Sequence, residues 1–308
     1  MNIKTTALVA LLCLVCPGLL DAQKKKQQKK KKTYTNAYTA AKEDPDFLLQ
    51  GEYAKPGTGV QLVAFGAGRF RVVTYAGGLP GLGWDGKTRG HRDVDTAEAS
   101  KAVAEGFQKI QRRSTTLGAK APQGATVLFD GTKASLKNWK KGARISKGGL
   151  LMAGVTSLMT YSNAIVHVEF LLPYKPHARG QGRGNSGLYL QGRYETQMLD
   201  SFGLAGKHNE CGGIYSVKDP DLNMCLPPLT WQTYDVEIKS AEFDAAGKKT
   251  KNARMTVRLN GVVVQDNVEV PKRTTASPLK EGPTPGPVYL QGHGNPVSYR
   301  NVWVLPRD

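Results

Sequence analysis

Past residue 120 no long helical period recurs in this chain; apolar and polar residues alternate in short runs, with turn residues every eight to twelve positions. A period of two sends successive side chains to opposite faces of a strand, so this part of the chain is expected to fold as a β-sandwich or jelly roll and not as an α/β domain. Asn260-Gly261, between ARMTVRL and VVVQDNV, is the firmest local constraint, because both central residues of a type I′ turn need positive φ. Phe129, Asp130 and Gly131, with Trp139, open the region, and residues 297–305 close it. Pairing of the opening and closing strands would bring its two ends together.

Residues 184–200, GNSGLYLQGRYETQMLD, read as two short strands joined at Gly192-Arg193. Ser186, Leu188 and Leu190 alternate with Asn185, Gly187, Tyr189 and Gln191, and Tyr194, Thr196 and Met198 alternate with Glu195 and Gln197. Glu195 and Gln197 therefore project together beside a glycine-relieved neighbour. Such a pair is badly placed for a core and well placed for the floor of a polar groove, although a plain solvent-facing sheet has the same period.

Three other strand-like runs carry polar pairs. In IVHVEF, His167 and Glu169 oppose Val166, Val168 and Phe170; in PVYLQGHG, Tyr289, Gln291 and His293 oppose Val288 and Leu290; in PVSYRNVWV, Ser298 and Arg300 oppose Tyr299, Asn301 and Trp303. A lone strand histidine is more often structural than catalytic. Were all four runs to share one sheet face, two histidines, two glutamates and an arginine would meet one ligand and supply acid, base and anion stabilisation. Trp231, in LTWQTYDVEI, is either a core aromatic or a platform for a sugar ring, and His177 and His208 are read as solvated loop residues. A divalent cation could be ligated by His167, Glu169 and His293, but no HxxxH-type spacing supports one, so no metal is expected.

Residues 34–119 predict a small α+β unit ahead of a 120–308 domain. VQLVAF and RFRVVTY, separated by Gly66-Ala67-Gly68, signal a hairpin. Asp95-Thr96-Ala97-Glu98 fits a capping box for a helix through about Arg113, with Val103, Phe107 and Ile110 as its buried stripe. The glycine-rich residues 77–83 lack the lysine and the strand-to-helix setting of a phosphate-binding loop, and His91 is read as a surface-loop residue.

Residues 1–22 have the charge, the apolar run (7–20) and the small final residue of a secretory signal, and the run is too short for a membrane span. An exported protein, periplasmic or extracellular, is expected. Export would place Cys211 and Cys225 where disulfides persist, and their pairing would stabilise by roughly 3 kcal/mol; two buried thiols are the alternative, and a metal site lacks CxxC spacing. The formal net charge is +18 at pH 7, but seven of the charges are lysines within residues 23–33. Self-repulsion predicts a disordered tail there, able to hold the protein near an anionic envelope surface. The remaining charge has no aromatic-interleaved basic motif, so nucleic acid is not an expected partner.

The segments LFDGTKASLKNW, VHVEF, RGNSGLYLQGRYETQMLDSFG, PPLTWQTYDVEI, ARMTVRLNGVVVQDNVEV and GPVYLQGHGNPVSYRNVWV resemble the 3-keto-disaccharide hydrolase family, also called the 3-keto-glucoside lyase/hydratase domain, over roughly residues 125–306. The resemblance implies a concanavalin-like lectin/glucanase jelly roll and cleavage of 3-keto-glycosides; no cofactor is predicted, a divalent metal lacking support from the spacing. Oxidation at C3 acidifies the C2 hydrogen, so a base can remove it, the enolate can be stabilised and the C1 group can leave; water then adds to the glucal. One base, one acid and one oxyanion donor suffice, unlike the two carboxylates of ordinary glycosidases. On this resemblance Glu195 and His293 transfer protons, and Arg300 or His167 stabilises the enolate. Glu169, Asn185, Gln197, Asp200, Trp231 and Gln291 bind the sugar. Relatives often carry Asp where this chain has Gly292, so His293 lacks an acidic partner from that position. The contrasting reading is a non-catalytic carbohydrate-binding or envelope-attachment module on the same fold, relying on aromatic platforms instead of ionisable groups.

Overall fold

The hairpin around Gly66-Ala67-Gly68 forms, and it centres a five-stranded antiparallel sheet in the computed structural model of the protein, which describes residues 31–308. The signal-like segment and the lysine run as far as residue 30 lie outside the described residues. The sheet comprises β1 (Gly51–Lys55), β2 (Gly57–Gly66), β3 (Arg69–Gly77), β4 (Arg89–Asp95) and β5 (Gln108–Ile110), in the order β4-β3-β2-β1-β5. Helices α1 (Ala37–Glu43), α2 (Pro45–Leu49) and α3 (Thr96–Ala102) flank it. Val60, Leu62, Ala64, Phe70 and Val72 bury one face against Ala40, Ala99 and Tyr174, while Val63, Val73 and Tyr75 on the other face enclose Phe202. Both faces are therefore apolar, and Tyr174 and Phe202 come from the region that follows.

Asp95 caps α3 as expected, accepting the Glu98 amide at 3.0 Å. The helix ends at Ala102 and not near Arg113. Gly106 turns the chain at φ +72°, and residues 108–110 give their backbone groups to the free edge of β1, where Ala54 pairs with Gln108 and Glu52 with Ile110. Sheet pairing there satisfies the amides that a longer helix would have used. His91 lies on β4 and not in a loop.

Thirteen further strands follow: β6 (Thr126–Phe129), β7 (Leu151–Met152), β8 (Val155–Tyr161), β9 (Ala164–Leu171), β10 (Ser186–Leu190), β11 (Tyr194–Met198), β12 (Trp231–Lys239), β13 (Glu242–Phe243), β14 (Lys249–Lys251), β15 (Ala253–Leu259), β16 (Val262–Val270), β17 (Gly286–Leu290) and β18 (Ser298–Pro306). β13 and β14 pair as a small two-stranded sheet, and the other eleven form two antiparallel sheets, a four-stranded one in the order β11-β10-β17-β8 and a larger one in the order β16-β15-β12-β9-β18-β6, with β7 also on β18. Their inner faces make the main core. Val166, Val168 and Phe170 of β9 and Tyr234 and Val236 of β12 pack with Leu188 and Leu190 of β10 and Val288 and Leu290 of β17. This is a jelly-roll β-sandwich, as the strand period demands.

Asn260 (φ 56°) and Gly261 (φ 85°) make the expected turn, and β6 pairs with β18 through Phe129 and Val302, so the opening and closing strands meet. The β10–β11 turn is centred one residue earlier than expected, at Gln191 (φ 54°) and Gly192 (φ 60°), closed by Arg193 N–H on the Leu190 carbonyl at 3.0 Å.

Cys211 and Cys225 are buried free thiols, which corrects the expected disulfide. Each sulfur is accommodated as a small core group. Cys211 Sγ lies 3.2 Å from the Tyr234 hydroxyl, and Cys225 Sγ 3.6 Å from the Leu199 carbonyl. Among the described residues no helix is long and apolar enough to cross a membrane.

Candidate functional site

On the outer face of the four-stranded sheet, Tyr289, Tyr189 and Glu195 form a row, because Tyr189 is the register partner of both Tyr289 and Glu195. The Glu195 side chain lies across Gly187, where an added Cβ would sit 2.2 Å from Oε1. That glycine is what lets the carboxyl lie flat against the sheet. Around it opens a cleft of about 80 Å³, also lined by Asn185, Gln197, Gln291 and His293. Its remaining walls are irregular segments supplying Gln181, Tyr215, Thr275 and Ala276.

Glu195 is 2 % exposed and the Tyr189 hydroxyl donates to its Oε2 at 2.7 Å. Burial dominates over that stabilising bond and pushes the carboxyl up to about 8. The Tyr189 hydroxyl has a second acceptor, the Thr275 carbonyl at 3.1 Å, and receives Gln291 Nε2–H at 3.3 Å. With Glu195 ionised the phenol donates to it. With Glu195 protonated the carboxyl can donate to the phenol while the phenol turns to Thr275. The row thus accommodates either protonation state.

Beside this acid sits an amide cluster. Gln181 Oε1 accepts from Asn185 Nδ2 at 2.9 Å and from Gln197 Nε2 at 3.0 Å, and Gln197 Oε1 accepts the Met198 amide at 2.9 Å. Asn185 Oδ1 is buried with no protein donor, an acceptor free for a ligand hydroxyl.

The other sequence candidates lie elsewhere. His167, Glu169, Arg300 and Trp231 belong to β9, β18 and β12 of the larger sheet, so the expectation of a single shared face is corrected. A period of two separates inner from outer faces, but it does not say which sheet a strand joins. His167 Nδ1 is 2.6 Å from Asp235 Oδ1, and its ring stacks on Trp303 at 4.9 Å. Glu169 accepts from Arg300 Nε at 2.6 Å, from the Gly118 amide at 2.6 Å and from Asn301 Nδ2 at 2.9 Å. Burial alone would raise Glu169, but the His167 ring 3.9 Å away and hydrogen bonds from Asn301, Arg300 and Gly118 outweigh it and hold the carboxyl at about 2. Burial likewise opposes charge on His167, but the bond to Asp235 and the nearby Glu169 carboxylate prevail and raise it. Trp231 carries the Arg300 guanidinium on its ring at 4.0 Å, which makes it neither a core aromatic nor part of the cleft. Asp200 points to a neighbouring hollow, paired with Arg183 Nε at 2.7 Å.

Of the sequence candidates, Glu195, His293, Asn185, Gln197 and Gln291 therefore meet in one cleft. Tyr189, Gln181, Tyr215 and Thr275 were missed as site residues. The strand period already put Tyr189 on the outer face with Gly187, whereas the others come from loops with no such signal. Among the described residues no group of three or more His, Cys, Asp or Glu is arranged to hold a metal ion.

A jelly roll with an amide-lined cleft around one buried acid has the character of a carbohydrate-handling protein. The chain belongs to the family of the 3-keto-alpha-glucoside-1,2-lyase-like domain, whose family model matches residues 124–305. It is similar to a crystal structure of a "putative glycosyl hydrolase" from Parabacteroides distasonis ATCC 8503, with 27 % identity and a TM-score of 0.56 over 67 % of this chain and 96 % of that one. A second protein of the same description from that organism shares 20 % identity over 60 % of this chain and 94 % of that one, with a TM-score of 0.44. No curated protein matches the chain.

Proposed function

We propose that the protein cleaves 3-keto-glycosides in the Glu195 cleft by elimination followed by hydration. The observation that carries this reading is Glu195 itself, a buried carboxyl raised to about 8 with amides rather than a second carboxylate around it. A base of that strength suits the acidified C2 hydrogen of a 3-keto sugar. Two opposed carboxylates, the requirement of ordinary glycoside hydrolysis, are missing from this cleft's lining.

In the first step the Glu195 carboxylate takes the C2 proton, and the C2–H electron pair forms the C2–C3 enolate. The enolate then re-forms the C3 carbonyl, C1 and C2 become doubly bonded, and the C1–O bond breaks. His293, at the cleft, gives a proton to the departing oxygen. The Glu195 carboxyl exchanges its proton with solvent once the aglycone has left; water then adds to C1 of the glucal, giving one proton to His293, while Glu195 delivers its exchanged proton to C2, completing a net hydrolysis. With Arg300 and His167 on the other sheet, the enolate oxygen falls to the cleft's own donors, Tyr215 and the amides of Gln291 and Asn185. Export of this activity rests on the sequence of residues 1–22.

The test is incubation of the protein with a 3-keto-glucoside and the matching unoxidised glycoside in deuterated solvent. Aglycone release from the keto sugar alone, with deuterium entering at C2, is expected. Binding of both sugars with cleavage of neither would assign the protein to the non-catalytic carbohydrate-binding class.

A further inference from the structure

The loop that gives Gln181 and Asn185 to the cleft gives Arg179 and Arg183 to a second, larger hollow of about 540 Å³, closed on its other side by Phe65, Arg69 and Arg71 of β2 and β3. Four guanidinium groups line it against two carboxylates. Asp93 engages Arg71 at 2.7 Å, and Asp200 engages the buried Arg183 at 2.7 Å. The Arg179 side chain donates to the backbone carbonyls of Pro176, Ala178 and Phe65, and the Arg69 side chain makes no hydrogen bond to a described residue. Arg71 and Arg179 also share one aromatic ring, their guanidinium carbons lying 5.1 and 3.8 Å from the Phe65 centroid. Burial first, and then the charges of Arg183, Arg69 and Arg71, push the Arg179 guanidinium down from its ordinary range. Two cations without a carboxylate beside two already paired ones leave an excess of positive charge in a concave site, which favours an anion.

We propose that this hollow is an anion subsite for a glycan, taking the carboxylate or sulfate of an acidic sugar while a linked residue occupies the Glu195 cleft. The proposal rests on the carbohydrate reading of that cleft and adds a substrate class to it. Planar guanidinium groups suit oxyanions because they donate paired hydrogen bonds. A linked ligand is favoured over a free ion by the chain path. Gln197 of the cleft and Asp200 of the hollow are three residues apart, roughly 10 Å of extended chain, and one short loop gives Arg179, Gly180 and Arg183 to the hollow and Gln181 and Asn185 to the cleft. An oligosaccharide spans that distance.

Calorimetry on the full chain tests this with four titrants: a glucuronate-containing disaccharide, a sulfated disaccharide, a neutral disaccharide of the same linkage, and inorganic sulfate alone. At least one acidic disaccharide is expected to bind about tenfold or more tighter than the neutral one, the scale of a charge-assisted contact, and the two acidic titrants show which oxyanion is preferred. Arg69→Ala, which removes an exposed side chain with no hydrogen bond, and the Arg69→Ala/Arg179→Ala pair should reduce that ratio stepwise. Equal affinity for acidic and neutral sugars, or a ratio unchanged in the double variant, overturns the proposal. Inorganic sulfate binding as tightly as the acidic sugars overturns the glycan assignment. Because unoxidised sugars are titrated, the result is independent of 3-keto-glycoside turnover, so either reading can fail while the other stands.

Discussion

Glu195 and Glu169 are the same residue type on outer sheet faces of the same sandwich, 2 % and 1 % exposed, yet one carboxyl is raised to about 8 and the other held at about 2. Burial pushes both upward. The difference lies in what each meets: Glu195 has a single phenol, whereas Glu169 has a guanidinium, a histidine, an amide side chain and a backbone N–H. A carboxylate surrounded by donors is spent on holding the structure together, and one left nearly alone in a cleft keeps a proton to exchange. The contrast also explains why residues 114–119 lie over the larger sheet. Gly118 donates to Glu169, and Ser114 and Thr116 bond to Thr233, so this segment is fastened by the same polar face that sequence reasoning offered as catalytic.

The sharpest break between the two sites is in turnover. Glu195→Gln should lower kcat on a 3-keto-glycoside by about 10²–10⁴-fold while sugar binding persists, the range for a lost acid–base group. Glu169→Gln should leave kcat per folded molecule near wild type. A large kcat loss in the second variant with little in the first would invert the assignment. Glu169→Gln should instead lower stability by about 2 to 4 kcal/mol in urea melts, the cost of breaking a buried pair discounted because the Arg300 side chain is 38 % exposed.

Stability against pH separates them further, with opposite signs. The folded state raises Glu195 above its ordinary 4.5, so its proton stabilises the fold below pH 4.5, and that contribution is lost as pH rises through about 8. Glu169 is lowered, so its contribution is present above pH 4.5 and is lost as pH falls toward 2. Denaturant melts from pH 3 to pH 9 should therefore show Glu195→Gln gaining on wild type as pH rises, by up to a few kcal/mol. Glu169→Gln should show its deficit shrinking as pH falls. Parallel curves for both variants would remove the electrostatic distinction.

Much of this is legible in the sequence. The alternation of β9, β10 and β17 gave inner and outer faces correctly, and Asn260-Gly261 gave its turn, because both follow from backbone geometry within a few residues. Sheet membership did not follow. His167 and Glu195 both face outward, but β9 pairs with β12 and β18 while β11 pairs with β10, a choice made by contacts far apart in sequence. The short α3 was misjudged for a related reason, since the β1 edge competes for residues 108–110. Gln181, Tyr215 and Thr275 reach the cleft from loops whose paths no period encodes.

The smallest expected effect is the most specific to the cleft. Among the protein groups acting on Glu195, the Tyr189 hydroxyl is the one that lowers its pKa, so Tyr189→Phe should move the carboxyl further above about 8. A base must be ionised to act, so kcat/KM of the wild type should rise with pH through a midpoint near 8. The variant's midpoint should lie higher, with a loss at pH 7 of about tenfold, on the scale of one charge-assisted hydrogen bond. At pH values above the new midpoint the variant should recover most of the wild-type rate, because the phenol tunes Glu195 without touching C2. A rate loss equal at every pH would mean that Tyr189 positions the substrate instead. A midpoint moved downward would mean that the phenol stabilises the protonated carboxyl through the arrangement in which it turns to the Thr275 carbonyl.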